Sequence, residues 1–247
     1  MRLLLICLFT LGCGIAEQGW ASCEALARLV ASDGQVSIKP SGKVLKVSPG
    51  ALPRALCAGD EIHTFEGHAL IDDGRAKVAL APYSVASFSA VGQAALQKGQ
   101  ALFDVRKRTV DAGMAVKTRL SVIGVKGTRF LVSDTRQQIG VVLDRGVVEI
   151  VSTQGPVGLF RERSGPKSTA EEFADFARQH AAGVAAEQAD FERYKNQIQR
   201  EFVAYVVSLT LQAGKELVTT GRIAVERDIS RDSANALKSL AAWADRQ

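Results

Sequence analysis

Between Ala27 and Ser152 the apolar residues come in short runs separated by turn-forming positions. Leu29–Ala31, Gln35–Lys39, Val44–Val47, Glu61–Phe65, Ala69–Ile71, Lys77–Leu80 and Ser84–Ser89 cluster or alternate hydrophobic residues between Gly, Pro, Ser and Asp. Ala101–Val105, Ala115–Thr118, Thr128–Ser133, Ile139–Leu143 and Val147–Val151 continue the pattern. Asp72-Asp73-Gly74 between two such runs is a hairpin signal. The runs follow one another about every 8–12 residues with no helical period between them, which predicts an all-β sandwich or roll.

The period changes near residue 153. Residues 153–167 collect Gly155, Pro156, Gly158, Gly165 and Pro166 and read as a linker. Ser168-Thr169-Ala170-Glu171 is a capping box, which satisfies orphan backbone donors at a helix start. Phe173, Phe176, His180, Val184, Phe191, Tyr194, Ile198, Phe202 and Tyr205 then recur at helical steps, predicting a long amphipathic helix to about Ala204. Val206–Gln212, Glu216–Thr219 and Ile223–Ile229 read as strands, the last two joined by a turn at Thr220-Gly221-Arg222. A final helix starting near Ser230 or Asp232 buries Leu237, Leu240 and Trp243. The predicted class is mainly β: an all-β sandwich or roll over residues 22–152, a linker, and a helix-rich α+β C-terminal region over 168–247.

The chain opens with Arg2 ahead of an apolar core, Leu3–Ile15, too short to span a bilayer as a helix. Gly19-Trp20-Ala21 fits the small-x-small pattern of signal-peptide cleavage, so residues 1–21 are expected to leave and Ser22 to begin a periplasmic protein that does not span the membrane. Lipidation at Cys13 is the competing reading, disfavoured by Thr10 where a leucine is preferred. Cleavage removes Cys7 and Cys13 and leaves Cys23 and Cys57, an even pair in an oxidising compartment. Their disulfide would close a loop with a separation of 34 residues and contribute about 3–4 kcal/mol in the chain-entropy model.

Charge excludes little. The net formal charge is +5, and losing Arg2 and Glu17 leaves it there. For an exported chain this mild excess is compatible with an anionic envelope surface and is weak evidence for nucleic acid. Arg106-Lys107-Arg108, between Asp104 and Asp111, is the visible basic cluster; a solvated hairpin loop is its plain reading and an anionic glycan or lipid contact its functional one. His63 and His68 flank Phe65-Glu66-Gly67, but with Glu66 or Asp60 they match no metal-ligand spacing, and His180 reads as a packed helix residue. No Gly-x-Ser-x-Gly elbow is present, and Asp72-Asp73-Gly74 reads first as turn chemistry. No enzymatic activity, metal or cofactor is expected.

The run Gly124-Val125-Lys126-Gly127-Thr128 superficially resembles a phosphate loop. There the lysine must follow the last glycine and head a helix; here Lys126 precedes Gly127 and Arg129-Phe130-Leu131 continues as strand. A Gly-x-x-Gly nucleic-acid clamp needs flanking helices, which are absent from the pattern. The glycines are expected to turn the chain at a sandwich corner, sending Phe130 into the core and presenting Thr128 and Arg129 at the bend.

Several ordered pieces then resemble the FecR domain proteins. Val122, Gly124, Gly127-Thr128 and Phe130 are similar to that family's Gly-Thr-x-Phe strand signature. Leu56, Gly59, Asp60 and Ile62 fit its L-x-x-G-D-x-I element, and Asp73-Gly74 with Val78–Pro82 and Ser84 its strand-turn-strand segment. Leu96 and Gly99 with Phe103–Val105, and Asp144-Arg145-Gly146 through Ile150, follow in order. The pieces fall within residues 27–152. The resemblance implies an all-β periplasmic domain of binding or signal-transmitting character. The name-giving members relay the state of an outer-membrane receptor to a sigma factor through a cytoplasmic segment and a membrane helix. Neither is read ahead of Cys23, so direct sigma regulation is not the expected role.

Two functions from different classes follow. The first is a periplasmic interaction module with an envelope protein as partner, reached through Lys126, Thr128, Arg129 and Arg106–Arg108, with the amphipathic helix assisting. The second is recognition of an envelope polymer such as peptidoglycan or lipopolysaccharide. Sugar-stacking aromatics are scarce for it, since Trp20 is expected to be removed and Trp243 buried.

Overall fold

A computed structural model describes residues 23–40, 44–47, 51–107, 113–162 and 200–247. Eight short strands come first: β1 (Ala27–Ser32), β2 (Val36–Lys39), β3 (Leu45–Val47), β4 (Arg54–Leu56), β5 (Glu61–Thr64), β6 (Ala69–Asp72), β7 (Ala76–Leu80) and β8 (Val85–Ala90). The long β9 (Gln93–Val105) precedes β10 (Met114–Lys117), β11 (Ser121–Val125), β12 (Arg129–Asp134), β13 (Ile139–Arg145), β14 (Val147–Ser152) and β15 (Val157–Glu162). After residue 200 come β16 (Arg200–Val206), β17 (Ser208–Gln212), β18 (Lys215–Thr219), β19 (Ile223–Asp228) and one helix, α1 (Arg231–Ala244).

The strands form two sheets that share β9. One, the middle sheet, runs β4-β1-β6-β7-β9-β12-β13-β18-β19-β15-β16. The other, the outer sheet, runs β3-β2-β5-β8-β9-β10-β11-β14-β17. All neighbours are antiparallel except β9 with β10 and β15 with β19. Residues Gln93–Lys98 of β9 pair in the outer sheet and Gly99–Val105 in the middle one. The crossing falls at Gly99, with φ +89°, where a Cβ would lie 2.6 Å from the Cα of buried Ser84. Only glycine serves there. The Ser84 hydroxyl accepts from Gln100 N–H at 2.9 Å and donates to Gln100 C=O at 3.1 Å, fixing the crossing.

Side-chain periodicity explains the layers. Along the outer sheet, partly exposed and buried positions alternate, as in Glu61-Ile62-His63-Thr64 and Ser121-Val122-Ile123-Gly124-Val125, because one face is solvated. In the middle sheet neighbouring residues are both apolar and both buried. Ile71, Val78, Phe103, Phe130 and Val141 point into the core between the sheets, while Leu70, Ala79, Leu102, Leu131 and Val142 point the other way. That second face is covered by Leu237, Leu240, Trp243 and Ala244 of α1. Three layers result: outer sheet, middle sheet, helix. Phe103 and Phe130 stack in the inter-sheet core with ring centroids 5.2 Å apart, and each buried side chain of this size stabilises the fold by about 1.5–3 kcal/mol.

Polar contacts fasten α1 at three points. Ser230 caps its start, accepting from Ser233 N–H at 3.3 Å, and donates to Glu216 Oε2 at 3.2 Å. Glu216, 1% exposed, is also paired with Arg227 Nε. Near the other end Trp243 stacks on His68 with centroids 4.9 Å apart, and His68 Nδ1 lies 2.9 Å from Asp33 Oδ2. Burial pushes the Asp33 carboxyl up, but hydrogen bonds from the His68 backbone and ring and the Trp243 side chain outweigh it and hold Asp33 below the usual aspartate range. The third point is Arg129 with Asp245.

Three sequence expectations change. Residues 157–162, inside the expected linker, form β15 between β19 and β16. Of the long helix expected from Ser168 to about Ala204, residues 168–199 lie outside the described residues and 200–206 form strand β16. Among the described residues the C-terminal region is not helix-rich: it holds four strands and one helix. The aromatic spacing of Phe202 and Tyr205 fits a helix face, but the β-branched run around it also fits a strand, and pairing with β15 decides. Residues 200–247 also share both sheets with the rest, since β18 pairs β13 and β17 pairs β14. Cys23 and Cys57 are joined by a disulfide, their Cα atoms 5.9 Å apart.

A candidate docking cleft on the outer sheet

Register places Gln93, Ala115, Gly124, Glu149 and Thr210 side by side across β9, β10, β11, β14 and β17. On each of these strands the neighbouring residues face the core, so the row lies on the solvent face. Its second and third members carry a methyl group and a hydrogen. The missing bulk leaves an open cleft of about 720 Å³, floored by Ala115 and Gly124 and rimmed by Arg75, Lys126, Val147, Glu149 and Thr210. Two cationic side chains and one carboxylate line it beside exposed Val91 and Val147. The arrangement suits a polypeptide segment of mixed character rather than a small apolar ligand.

The two glycines expected to turn the sandwich corner, Gly124 and Gly127, play different parts. Gly127, φ +62°, makes the corner between β11 in the outer sheet and β12 in the middle sheet, and a Cβ on it would lie 2.9 Å from Lys107 Cα. Gly124 has no left-handed backbone and nothing closer than 4.0 Å to its Cβ position. It bends nothing; it opens the cleft.

The residues singled out from sequence fall in several places. Lys126 is on the rim of the cleft. Thr128 is wholly buried rather than presented, and its hydroxyl has no hydrogen-bond partner among the described residues. Arg129 is also turned inward, its side chain 13% exposed. Its Nη2 donates to both oxygens of Asp245 at 3.0 Å, and its Nε lies 3.8 Å from the Asp104 carboxylate, which also accepts from Arg145 at 2.9 Å. Arg106 is committed to Asp72 at 2.9 Å and to Gly74 C=O at 3.3 Å, in a separate hollow of about 450 Å³ near Arg28. Lys107 backs onto Gly127, and Arg108 lies outside the described residues. Gly59, Gly74 and Gly146 take left-handed turns, Asp60 accepts from Cys57 N–H at 2.9 Å, and Phe130 fills the core.

His63 approaches Glu61 at 3.2 Å and His68 approaches Asp33, on different elements. Among the described residues no group of three His, Cys, Asp or Glu side chains could hold a metal ion. Sequence reasoning missed Arg75, Gln93, Ala115, Val147, Glu149 and Thr210. The readable signal was small residues at solvent positions of alternating strands, Ala115 in Met114–Lys117 and Gly124 in Ser121–Val125.

The family model described as FecR protein matches residues 68–149, which span β6 through the first half of β14. Two crystal structures of a candidate anti-sigma factor from Parabacteroides distasonis ATCC 8503, at 1.65 Å and 2.50 Å resolution, are similar at 13% identity with TM-scores of 0.42 and 0.43. Each alignment covers 71% of this chain, which spans 63% and 62% of those chains. A search of curated proteins found no match.

Proposed function

Starting from a chain that carries a FecR domain at residues 68–149, we propose that it is a non-enzymatic interaction module of the cell envelope, exported to the periplasm, that transmits a signal by docking a protein partner in the outer-sheet cleft. The observation that carries the reading is the cross-strand row in which Ala115 and Gly124 lower the floor between Gln93 and Glu149. Strands held rigidly in register display Arg75, Lys126 and Glu149 at fixed positions around it, which gives specificity for a segment of complementary charge. No helix among the described residues is long and apolar enough to cross a membrane.

The test is in-cell photo-crosslinking with reactive residues at Lys126 and Val147, on the rim, and at Lys46, on β3 at the opposite border of the outer sheet. The expected result is one discrete protein adduct from the rim positions and none from Lys46. Adducts to glycan alone, or no adduct from a folded and exported chain, overturn the reading.

A further inference from the structure

We infer that β17 is the docking edge for a second copy of this chain, the two outer sheets joining antiparallel about Thr210. This goes beyond the reading above and does not depend on it. β17 borders the outer sheet and, among the described residues, pairs with β14 alone. Ser152 N–H donates to Val207 C=O at 2.8 Å, and partners in an antiparallel ladder alternate between bonded and non-bonded pairs. Leu209 and Leu211 therefore turn their backbone groups toward β14. Ser208, Thr210 and Gln212 turn theirs to the open side.

Natural edge strands are blunted by charge, proline or a bulge. Ser208-Leu209-Thr210-Leu211-Gln212 has no charge, no proline and no glycine, and its register with β14 runs without a shift. The pattern polar-Leu-Thr-Leu-polar also reads the same in both directions. A two-fold axis through Thr210 sets Thr210 against itself and Ser208 against Gln212 of the second copy. Leu209 meets Leu211 of the second copy on the core side, where Leu211 is already buried and Leu209 packs on the core. A closed two-fold dimer asks for this self-complementarity, with no like charges opposed. Val207, 50% exposed, and Val147, 47% exposed, flank the join. Because Thr210 also lines the cleft, the two clefts meet across the axis, each completed by the other copy's Thr210.

Light scattering on the full chain, with Thr210→Lys, Thr210→Glu and an equal mixture of the two, tests this. Wild type is expected at twice the protomer mass, each variant at the protomer mass, and the mixture at twice again, with unchanged circular dichroism because Thr210 is solvent-exposed. Thr210→Cys is expected to form a disulfide between copies under mild oxidation. A wild-type chain that stays at the protomer mass throughout a concentration series, as when the edge serves another protein's strand, overturns the inference. So does a dimer that both charged variants leave intact. Crosslinking from Lys126 in the otherwise unaltered chain reads the cleft and light scattering reads the edge, so failure of one reading is distinguishable from failure of the other.

Discussion

Arg129 and Asp245, far apart in the chain, are joined by two hydrogen bonds of 3.0 Å, so the residue that caps the end of α1 is tied to the first residue after the Gly127-Thr128 corner. The pair connects the glycine signature to the helix that covers the middle sheet. Asp245 is largely exposed and Arg129 is not, which makes the two halves unequal. Asp245→Ala is expected to cost about 0.5–1 kcal/mol. Arg129→Ala is expected to cost about 1–3 kcal/mol, since it also removes the inward-turned guanidinium whose charge faces Asp104 at 3.8 Å. Urea unfolding measures both, and amide exchange over residues 231–244 should quicken in each. Equal and negligible losses would mean that α1 is held by its apolar face alone.

Glu216 is the buried polar centre of the C-terminal region, reached by Arg227 and by the capping hydroxyl of Ser230. Glu216→Ala leaves Ser230 without this acceptor and Arg227 with only Glu162 at 3.9 Å, and is expected to cost about 3 kcal/mol, the low end for a broken buried pair because Arg227 is about a third exposed. Glu216→Gln should recover part of the loss. Denaturant midpoints decide it, and a change below about 1 kcal/mol contradicts this account.

The two signature glycines should separate in a paired experiment. Gly127→Val places a β-branched side chain at a left-handed position already closed by Lys107, and its unfolding midpoint should fall sharply, by at least about 1–3 kcal/mol. Gly124→Val meets open space, keeps the fold, fills the cleft floor and should abolish crosslinking from Lys126. If Gly124→Val unfolds the protein while Gly127→Val does not, the roles assigned to them are reversed.

Acid titration should reveal two aspartates acting in opposite senses. The Asp33 carboxyl is held low, so it contributes stability that is present above the ordinary aspartate pKa and lost as pH falls through its depressed folded value. Burial pushes the Asp134 carboxyl up, against the Arg119 N–H and guanidinium. Its contribution is fully present below the ordinary pKa and lost as pH rises through the raised folded value. Asp33→Asn should flatten the acid limb of the stability curve and Asp134→Asn should steepen it. Stability profiles of the two variants that move in the same direction would refute this assignment.

The Cys23–Cys57 bond ties the start of the described chain to the turn before β5. Its reduction should lower stability by about 3–4 kcal/mol in the chain-entropy model. Mass spectrometry of protein recovered from the envelope should find Ser22 as the first residue and no alkylatable thiol after unfolding without reductant. Retention of residues 1–21 would contradict the export proposal, and two free thiols would contradict the bond.

Local chemistry made much of this fold legible. Phe130 in the core, the corner at Gly127, the Ser230 cap and the buried Leu237, Leu240 and Trp243 each follow from signals within a few residues. The doubled burial of the middle sheet was also written in the chain, where Leu70-Ile71 and Val141-Val142 leave no solvent face, though the alternating runs around them read more simply as a two-layer sandwich. The cleft was harder because its floor and rim come from strands spread between Arg75 and Thr210, and register alone brings them together. Arg129 shows the converse. A charged residue after a glycine turn suggests display, but Asp245 and Asp104, distant in sequence, draw it inward.

The passage of β9 from one sheet to the other has a mechanical meaning. Gln93, at one end of that strand, borders the cleft, and Leu102, toward the other, is covered by α1. The proposed partner at the first and the helix on the second would hold opposite ends of one continuous strand, fastened at Gly99 by Ser84. A tug by that partner on the outside of the molecule would be felt beneath its helix without any loop having to carry the message.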